Sequence, residues 1–201
     1  MMSPLGVILA GGKANRMGGG DKCLLPLMGR LVIDHVIERL VQQVPKIVIN
    51  ANGDLTRFNS FGLPSVPDSI VDFPGPLAGV LAGLDWASTQ GATHIVTVAA
   101  DTPFFPMDLR IKLEAAQDVH FKPITLAATV GVGGLNMHPT FGLWPVGLRE
   151  DLRRQLKLGV RKVVHWAEQH GTGEAIFDAI GHDPFFNINT PDDLMQAEAM
   201  R

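Results

Sequence analysis

The sequence predicts a three-layer α/β/α fold built on a mostly parallel sheet. Three observations carry that expectation. The runs Val7-Ile8-Leu9, Ile47-Val48-Ile49 and Ile95 to Ala100 are short, apolar and branched, as strands buried on both faces are. The segments between them carry apolar residues at three-to-four spacing, which is helical, so strand and helix alternate along the chain. The first run also empties directly into a glycine-rich turn, and loops at the carboxyl ends of parallel strands are where such folds bind ligands.

Taken in order, the glycine-rich turn after the first strand is followed by about ten residues of loop, ending in Pro26 and Gly29, before helical periodicity begins. Val32, Ile33, Val36, Ile37, Leu40, Val41 and Val44 then mark a helix that Pro45 stops, and the strand Ile47-Val48-Ile49 follows at once. That order implies a right-handed crossover and a parallel pair. A short strand near Ser65-Val66 and a small-residue helix from Pro76 to about Ser88 come next, with Gly79 and Gly83 placed for close packing on the sheet. The strand His94 to Ala99 and a helix from about Met107 to Ala116 complete the next unit. Strands Ile124 to Val130 and Thr140 to Trp144 precede helices near Gly147 to Leu158 and Val160 to Gln169. The last helix starts at Pro191, with Thr190 as N-cap, proline at its first position, and Asp192 and Asp193 at its positive end.

Composition bounds the class. The 201 residues suffice for one domain, which buries roughly 70% of its unfolded surface. With 46% apolar and 18% charged residues the chain reads as globular, and a net charge of −3 leaves no electrostatic footprint for nucleic acid. The N-terminus has no basic region and its apolar run stops at Gly11-Gly12, so neither a signal peptide nor a membrane span is expected, and the expected compartment is the cytoplasm. The single cysteine, Cys23, cannot form an internal disulfide and reads as a small apolar residue leading into Leu24-Leu25. The seven histidines show no zinc-ligand spacing.

The glycine-rich turn is the main chemical feature. Leu9-Ala10-Gly11-Gly12 is followed by Arg16-Met17-Gly18 and Asp21-Lys22. Residues without Cβ let backbone N–H groups approach an anion, Arg16 offers a planar fork and Lys22 a compact charge. A seat for phosphates and a merely structural glycine loop both fit that local pattern. A Walker loop is disfavoured because Asp21 follows Gly20 and Cys23 follows Lys22, and a dinucleotide fingerprint because no helix opens within the glycines. Asp101, just past a central strand, suits magnesium, which is held by one or two carboxylates plus substrate phosphates; an ordinary turn residue before Thr102-Pro103 is the alternative. Asn50 and Asn52, after the second strand, could read a base edge or simply form a turn.

The order L-A-G-G-x-x-x-R-M-G-x-x-x-K resembles the signature of the small nucleotidyltransferases. Within them the chain resembles the molybdenum cofactor guanylyltransferases (MobA) over essentially its whole length. Asn50-Ala51-Asn52, Pro67-Asp68-Ser69, Pro74 to Gly79, Asp101-Thr102-Pro103, His138-Pro139-Thr140 and Asn187 to Pro191 carry the resemblance. It departs little: Lys13-Ala14-Asn15 fills a variable stretch, and no hydroxyl residue lies in the loop.

The resemblance implies a Rossmann-like nucleotidyltransferase fold and a single domain, 1–201, whose N-terminal part binds GTP and whose C-terminal part faces molybdopterin. It implies GTP binding by Leu9, Ala10, Gly11, Gly12, Lys22, Asn50, Asp68 and Asp101, catalysis by Arg16, Lys22 and Asp101, and Mg²⁺ or Mn²⁺ at Asp101. His138, Arg161, Lys162, Asn187 and Asn189 fall on segments that resemble the pterin side. The implied reaction moves GMP from GTP to molybdenum-molybdopterin and releases pyrophosphate. The implied assembly is a monomer in transient contact with cofactor-assembly proteins or apo-molybdoenzymes. A cytidylyltransferase or another small nucleotidyltransferase is the nearest alternative, and a non-catalytic cofactor carrier the alternative of another class.

Overall fold

The computed structural model describes residues 3–11, 21–70, 75–131, 134–179 and 181–200. Strands β1 (Leu5–Leu9), β4 (Ile47–Asn50), β5 (Ser65–Val66), β6 (His94–Ala99), β7 (Ile124–Gly131), β8 (Gly134–Pro145) and β9 (Thr172–Phe177) form one seven-stranded sheet in the order β5-β4-β1-β6-β8-β7-β9. Only β8 runs against its neighbours; the other pairings are parallel. A small antiparallel hairpin, β2 (Pro26–Leu27) with β3 (Arg30–Leu31), stands apart and occupies part of what reads in the sequence as loop. Helices α1 (Val32–Val41) and α3 (Leu109–His120) cover one face; α2 (Pro76–Thr89), α4 (Arg149–Lys157) and α5 (Val163–His170) cover the other, and α6 (Pro191–Ala199) closes the chain.

The strands read as unbroken apolar runs because both faces are buried. Along β1, Val7 joins the core under α2 and α4, while its neighbour Ile8 joins the core under α1 and α3. Trp144 in the first of these cores lies 6.1 Å from Trp166 between ring centres, and its indole N–H donates to the buried Thr97 hydroxyl at 2.8 Å. Each expected strand and helix is present, with shifted ends. Helix α3 begins two residues later than the periodicity suggests and runs on to His120. Its Arg110 N–H is capped by the Gln43 side-chain oxygen, at 3.0 Å, from the turn after α1, a partner that sequence spacing cannot reveal. Strand β9 has no counterpart in the sequence reading: Thr172–Phe177 holds charged and half-exposed residues at the sheet edge, where the apolar run is lost. None of the described helices is long and apolar enough to cross a membrane.

Helix α2 lies close against the sheet, and its glycines explain how. A Cβ on Gly83 would sit 2.6 Å from Val7 Cγ2, and one on Gly79 would collide with the Asn50 side-chain oxygen and approach Leu9 Cδ2 to 2.9 Å. Overpacking typically costs about 1–3 kcal/mol, against roughly 1 kcal/mol that alanine gains over glycine inside a helix. Gly83→Ala is therefore expected to destabilise the fold, seen as a lower urea midpoint at unchanged slope; a raised midpoint would contradict this packing.

Candidate functional site

The carboxyl ends of three adjacent strands build the floor of the site. Leu9 is in register with Asn50 on one side and Ala99 on the other. The pairing continues past the strand, since Ala10 N–H donates to the Asn50 carbonyl at 2.8 Å and Ala100 N–H to the Leu9 carbonyl at 3.1 Å. The chain leaves β1 toward β4 and later returns to β6 on the opposite side, so Leu9-Ala10-Gly11 lie at the switch point where open α/β sheets bind ligands. Gly12 and Arg16, expected to complete the phosphate seat, lie outside the described residues.

One wall is a network of amides and a carboxylate. Asn50, only 2% exposed, donates from its side-chain nitrogen to Asp68 Oδ1 at 3.0 Å and to the Val66 carbonyl at 3.4 Å. Asn52 donates to Asp68 Oδ2 at 2.7 Å and accepts the Asp68 backbone N–H at 2.9 Å. Gly79 leaves room for the Asn50 amide against α2. Asn50 thus orients Asp68 through its side-chain nitrogen, and the Asp68 carboxylate keeps acceptor capacity to spare. Ser69, the next residue, donates to Asp85 on α2 at 2.5 Å, and Asp85 is in turn held by Arg153 of α4 at 2.6 Å.

The other wall joins residues far apart in the chain. Lys22 Nζ donates to Asn189 Oδ1 at 2.6 Å, across 167 positions. The Ile188 N–H donates to the Asp101 carbonyl at 2.9 Å, which seats the Asn187-Ile188-Asn189 segment on the end of β6. Burial pushes the Asp101 carboxyl above the usual aspartate range, and the Lys22 ammonium pulls it partly back. Cys23, buried directly behind Lys22, has its thiol pushed up to about 12, first by burial and then by Asp21 and Asp101, so it behaves as the inert apolar residue expected.

The later segments are brought to the same edge, though not to one point. His138 lies where β8 bulges: the one-residue step Leu126 to Ala127 on β7 faces the step Gly142 to His138 on β8. Its ring stacks on Phe185 at 4.2 Å, its Nε2 meets the Thr129 hydroxyl at 2.9 Å, and burial holds its pKa below the usual histidine range while Asp183 opposes that. Phe185 stands two residues before Asn187, so the His138 and Asn187–Asn189 segments share one anchor. Arg161 and Lys162 are both exposed between α4 and α5; the Arg161 carbonyl lies 3.8 Å from where a Cβ on Gly75 would stand, beside the start of α2. Sequence reasoning missed Arg57, which pairs with Asp21 in this site. Nothing in its local pattern, an arginine between Thr56 and Phe58, distinguishes it.

Comparison with known proteins agrees with this architecture. A family model described as "MobA-like NTP transferase domain" matches residues 6–172. A protein of Bradyrhizobium sp. (strain ORS 278) named "Molybdenum cofactor guanylyltransferase" is 46% identical over 198 residues, 97% of this chain and 92% of its own length. One of the same name from Mesorhizobium japonicum is 46% identical over 96% of this chain and 93% of its own. Among solved structures, "Molybdopterin-guanine dinucleotide biosynthesis protein A" from Archaeoglobus fulgidus has a TM-score of 0.72 at 22% identity, covering 98% of this chain and 97% of its own.

The Asn189 wall depends on the cap of α6. Asp193 Oδ2 accepts the backbone N–H groups of Asn189 and Thr190, both at 2.8 Å, while the Thr190 hydroxyl accepts the Asp193 N–H at 3.1 Å. The Asn189 N–H, more than any other neighbour, holds the Asp193 carboxyl below its ordinary value. A depressed carboxylate stabilises above its unfolded pKa and ceases to as pH falls through the folded one. Asp193→Ala should therefore lower the melting temperature at pH 7, and the gap to wild type should close below about pH 4. A gap independent of pH would show that the carboxylate is not the stabilising group.

Proposed function

The chain belongs to the MobA-like NTP transferase family, and from that premise we propose that it transfers GMP from GTP to molybdenum-molybdopterin, releasing pyrophosphate. The observation that carries this reading is the meeting of the Leu9-Ala10-Gly11 turn, Lys22 and Asp101 at one edge of the sheet, with the Asp68 carboxylate on the nucleotide side and Asn189 on the other. The N-terminal part of the single domain would hold GTP, and the segments around His138, Arg161, Lys162, Asn187 and Asn189 would face the pterin.

Asp101 fits a divalent cation, magnesium or manganese. It is a half-buried carboxylate whose surroundings disfavour its charge. A hard cation that takes few protein ligands and completes its sphere with phosphate oxygens and water matches that donor set. Such an ion would neutralise phosphate charge.

Both substrates are anionic, so positioning and charge compensation supply most of the catalysis. A terminal phosphate oxygen of molybdopterin forms the new bond to the α-phosphorus of GTP. The bond from the α-phosphorus to the bridging oxygen breaks, and its electron pair leaves with pyrophosphate. The attacking phosphate already carries negative charge and needs no general base. Backbone N–H groups of the first turn, Arg16 and Lys22 would bind the triphosphate, and the Lys22 contact to Asn189 holds that ammonium at the boundary between the two substrates. His138, pushed toward its neutral form by burial, would offer a hydrogen-bonding and stacking surface in place of a charge. Asp68 would accept the N1–H and N2–H₂ donors of guanine, with Asn50 and Asn52 fixing its orientation. The protein would act in the cytoplasm as a monomer, meeting cofactor-assembly proteins or apo-molybdoenzymes transiently.

Nucleotide-dependent pyrophosphate release with purified molybdopterin, run with GTP and CTP in parallel, tests the reading. Release with GTP is expected; release with CTP alone would replace guanylyl by cytidylyl transfer, and none with either would leave a carrier. Lys22→Ala and Asp101→Asn should each lower turnover by about 10²–10³, the scale of losing one preorganised electrostatic partner. Near-normal turnover would remove that residue from the mechanism. Asp68→Ala should narrow the preference for GTP and ITP over ATP, and unchanged selectivity would mean that another group reads the base.

A further inference from the structure

An aspartate stands at the entrance of a site that must attract a triphosphate. Asp21 directly precedes Lys22, and its side chain is 18% exposed. Uncovered, its charge would oppose every phosphate that Lys22 attracts.

The structure covers it with Arg57. The guanidinium meets Asp21 as a fork: Nε donates to Oδ2 in a very short contact, and Nη2 lies 3.4 Å from Oδ1. Two further bonds go to backbone carbonyls. Nη2 donates to the Asn52 carbonyl at 3.0 Å, and Nη1 to the Asp54 carbonyl. The Arg57 Cζ lies 4.6 Å from the centre of the buried Phe58 ring, and the turn that carries it, Leu55–Phe61, is capped by Asp54, which accepts the Thr56 N–H at 2.9 Å. The arginine is thus held from several sides at once, on an element that packs into the core. Asp21, Asp101 and Arg57 all act on the buried Cys23 thiol, the two aspartates raising its pKa and the arginine lowering it, which places the three charges around one weakly screened region.

We propose that Arg57 is a positioning residue for nucleotide binding: it neutralises Asp21 at the phosphate side of the site and, through the Asn52 carbonyl, ties that side to the Asn52–Asp68 pair. The proposal rests on the reading of this site as a nucleotide site. Arg57 acts through Asp21 and Asn52. Its two bonds to Asp21 cancel a repulsive charge, and its bond to Asn52 fixes the spacing between Lys22 and Asp68.

A double-substitution comparison separates charge cover from general stabilisation. The affinity of the full chain for GTP with magnesium is measured by calorimetry, alongside pyrophosphate release, for wild type, Arg57→Ala, Arg57→Lys, Asp21→Asn and Arg57→Ala with Asp21→Asn. Arg57→Ala should weaken GTP binding on the order of tenfold, and less at high ionic strength, because it exposes a charge that salt can screen. Arg57→Lys should restore part of the loss. The double variant should bind several-fold better than Arg57→Ala, because the exposed charge is gone, and Asp21→Asn alone should bind at least as tightly as wild type. A double variant no better than Arg57→Ala, or an Arg57→Ala variant that binds like wild type, overturns the proposal. If Arg57→Ala does not fold, Arg57→Gln with and without Asp21→Asn carries the same comparison. Wild type that binds GTP yet releases no pyrophosphate refutes the reaction while leaving the affinities to judge Arg57; wild type that does not bind GTP refutes both.

Discussion

The position of β1 between β4 and β6 is the constraint on which the rest depends. Parallel pairing on both sides fixes where Leu9 ends relative to Asn50 and Ala99, and the bonds of Ala10 and Ala100 extend that register one residue beyond the strands. The glycine-rich turn therefore leaves the sheet from a position set by hydrogen bonds on both sides. Gly79 and Gly83 let α2 press close behind it, and Gly79 leaves the room in which the Asn50 amide meets Asp68. This edge of the sheet is built from groups whose own freedom has been removed.

The second determinant is closure by the C-terminal segment. Residues 187–190 connect no two strands, yet they carry the Ile188 bond to Asp101, the Lys22 contact of Asn189 and the cap of α6. The Lys22 segment and the end of β6 meet at these few residues. Phe185 extends the closure, stacking His138 on one side and meeting Phe141 and Phe177 on others. The segment before α6 thereby completes a site begun at the end of β1.

Much of this was legible from sequence because it rests on local chemistry. The branched runs of β1, β4 and β6 can only be buried strands, and Thr190-Pro191 with Asp193 states the start of α6 in full. What stayed hidden depends on partners distant in the chain. Gln43 capping α3, Arg57 covering Asp21 and Lys22 reaching Asn189 involve polar residues that look alike wherever they occur; only the fold decides which of them meet. The edge strand β9 was missed for the opposite reason, since half-exposed strands dilute the apolar signal. Asn50 reads in the sequence as a group that could touch a base; that its buried amide also supports Asp68 depends on the fold.

The bulge in β8 has a consequence of parity. Side chains alternate between the faces of a strand, and the excess of Pro139, Thr140 and Phe141 over the facing step of β7 is odd. Phe141 and Leu143 face the core beneath α1 and α3, yet Met137, also odd-numbered, packs beneath α2 and α4. His138 is thereby turned to the side where Phe185 waits. Losing or gaining one residue in that short stretch would invert the outer half of the hairpin, so the number of residues between His138 and Gly142 is as much a determinant of the site as their identity.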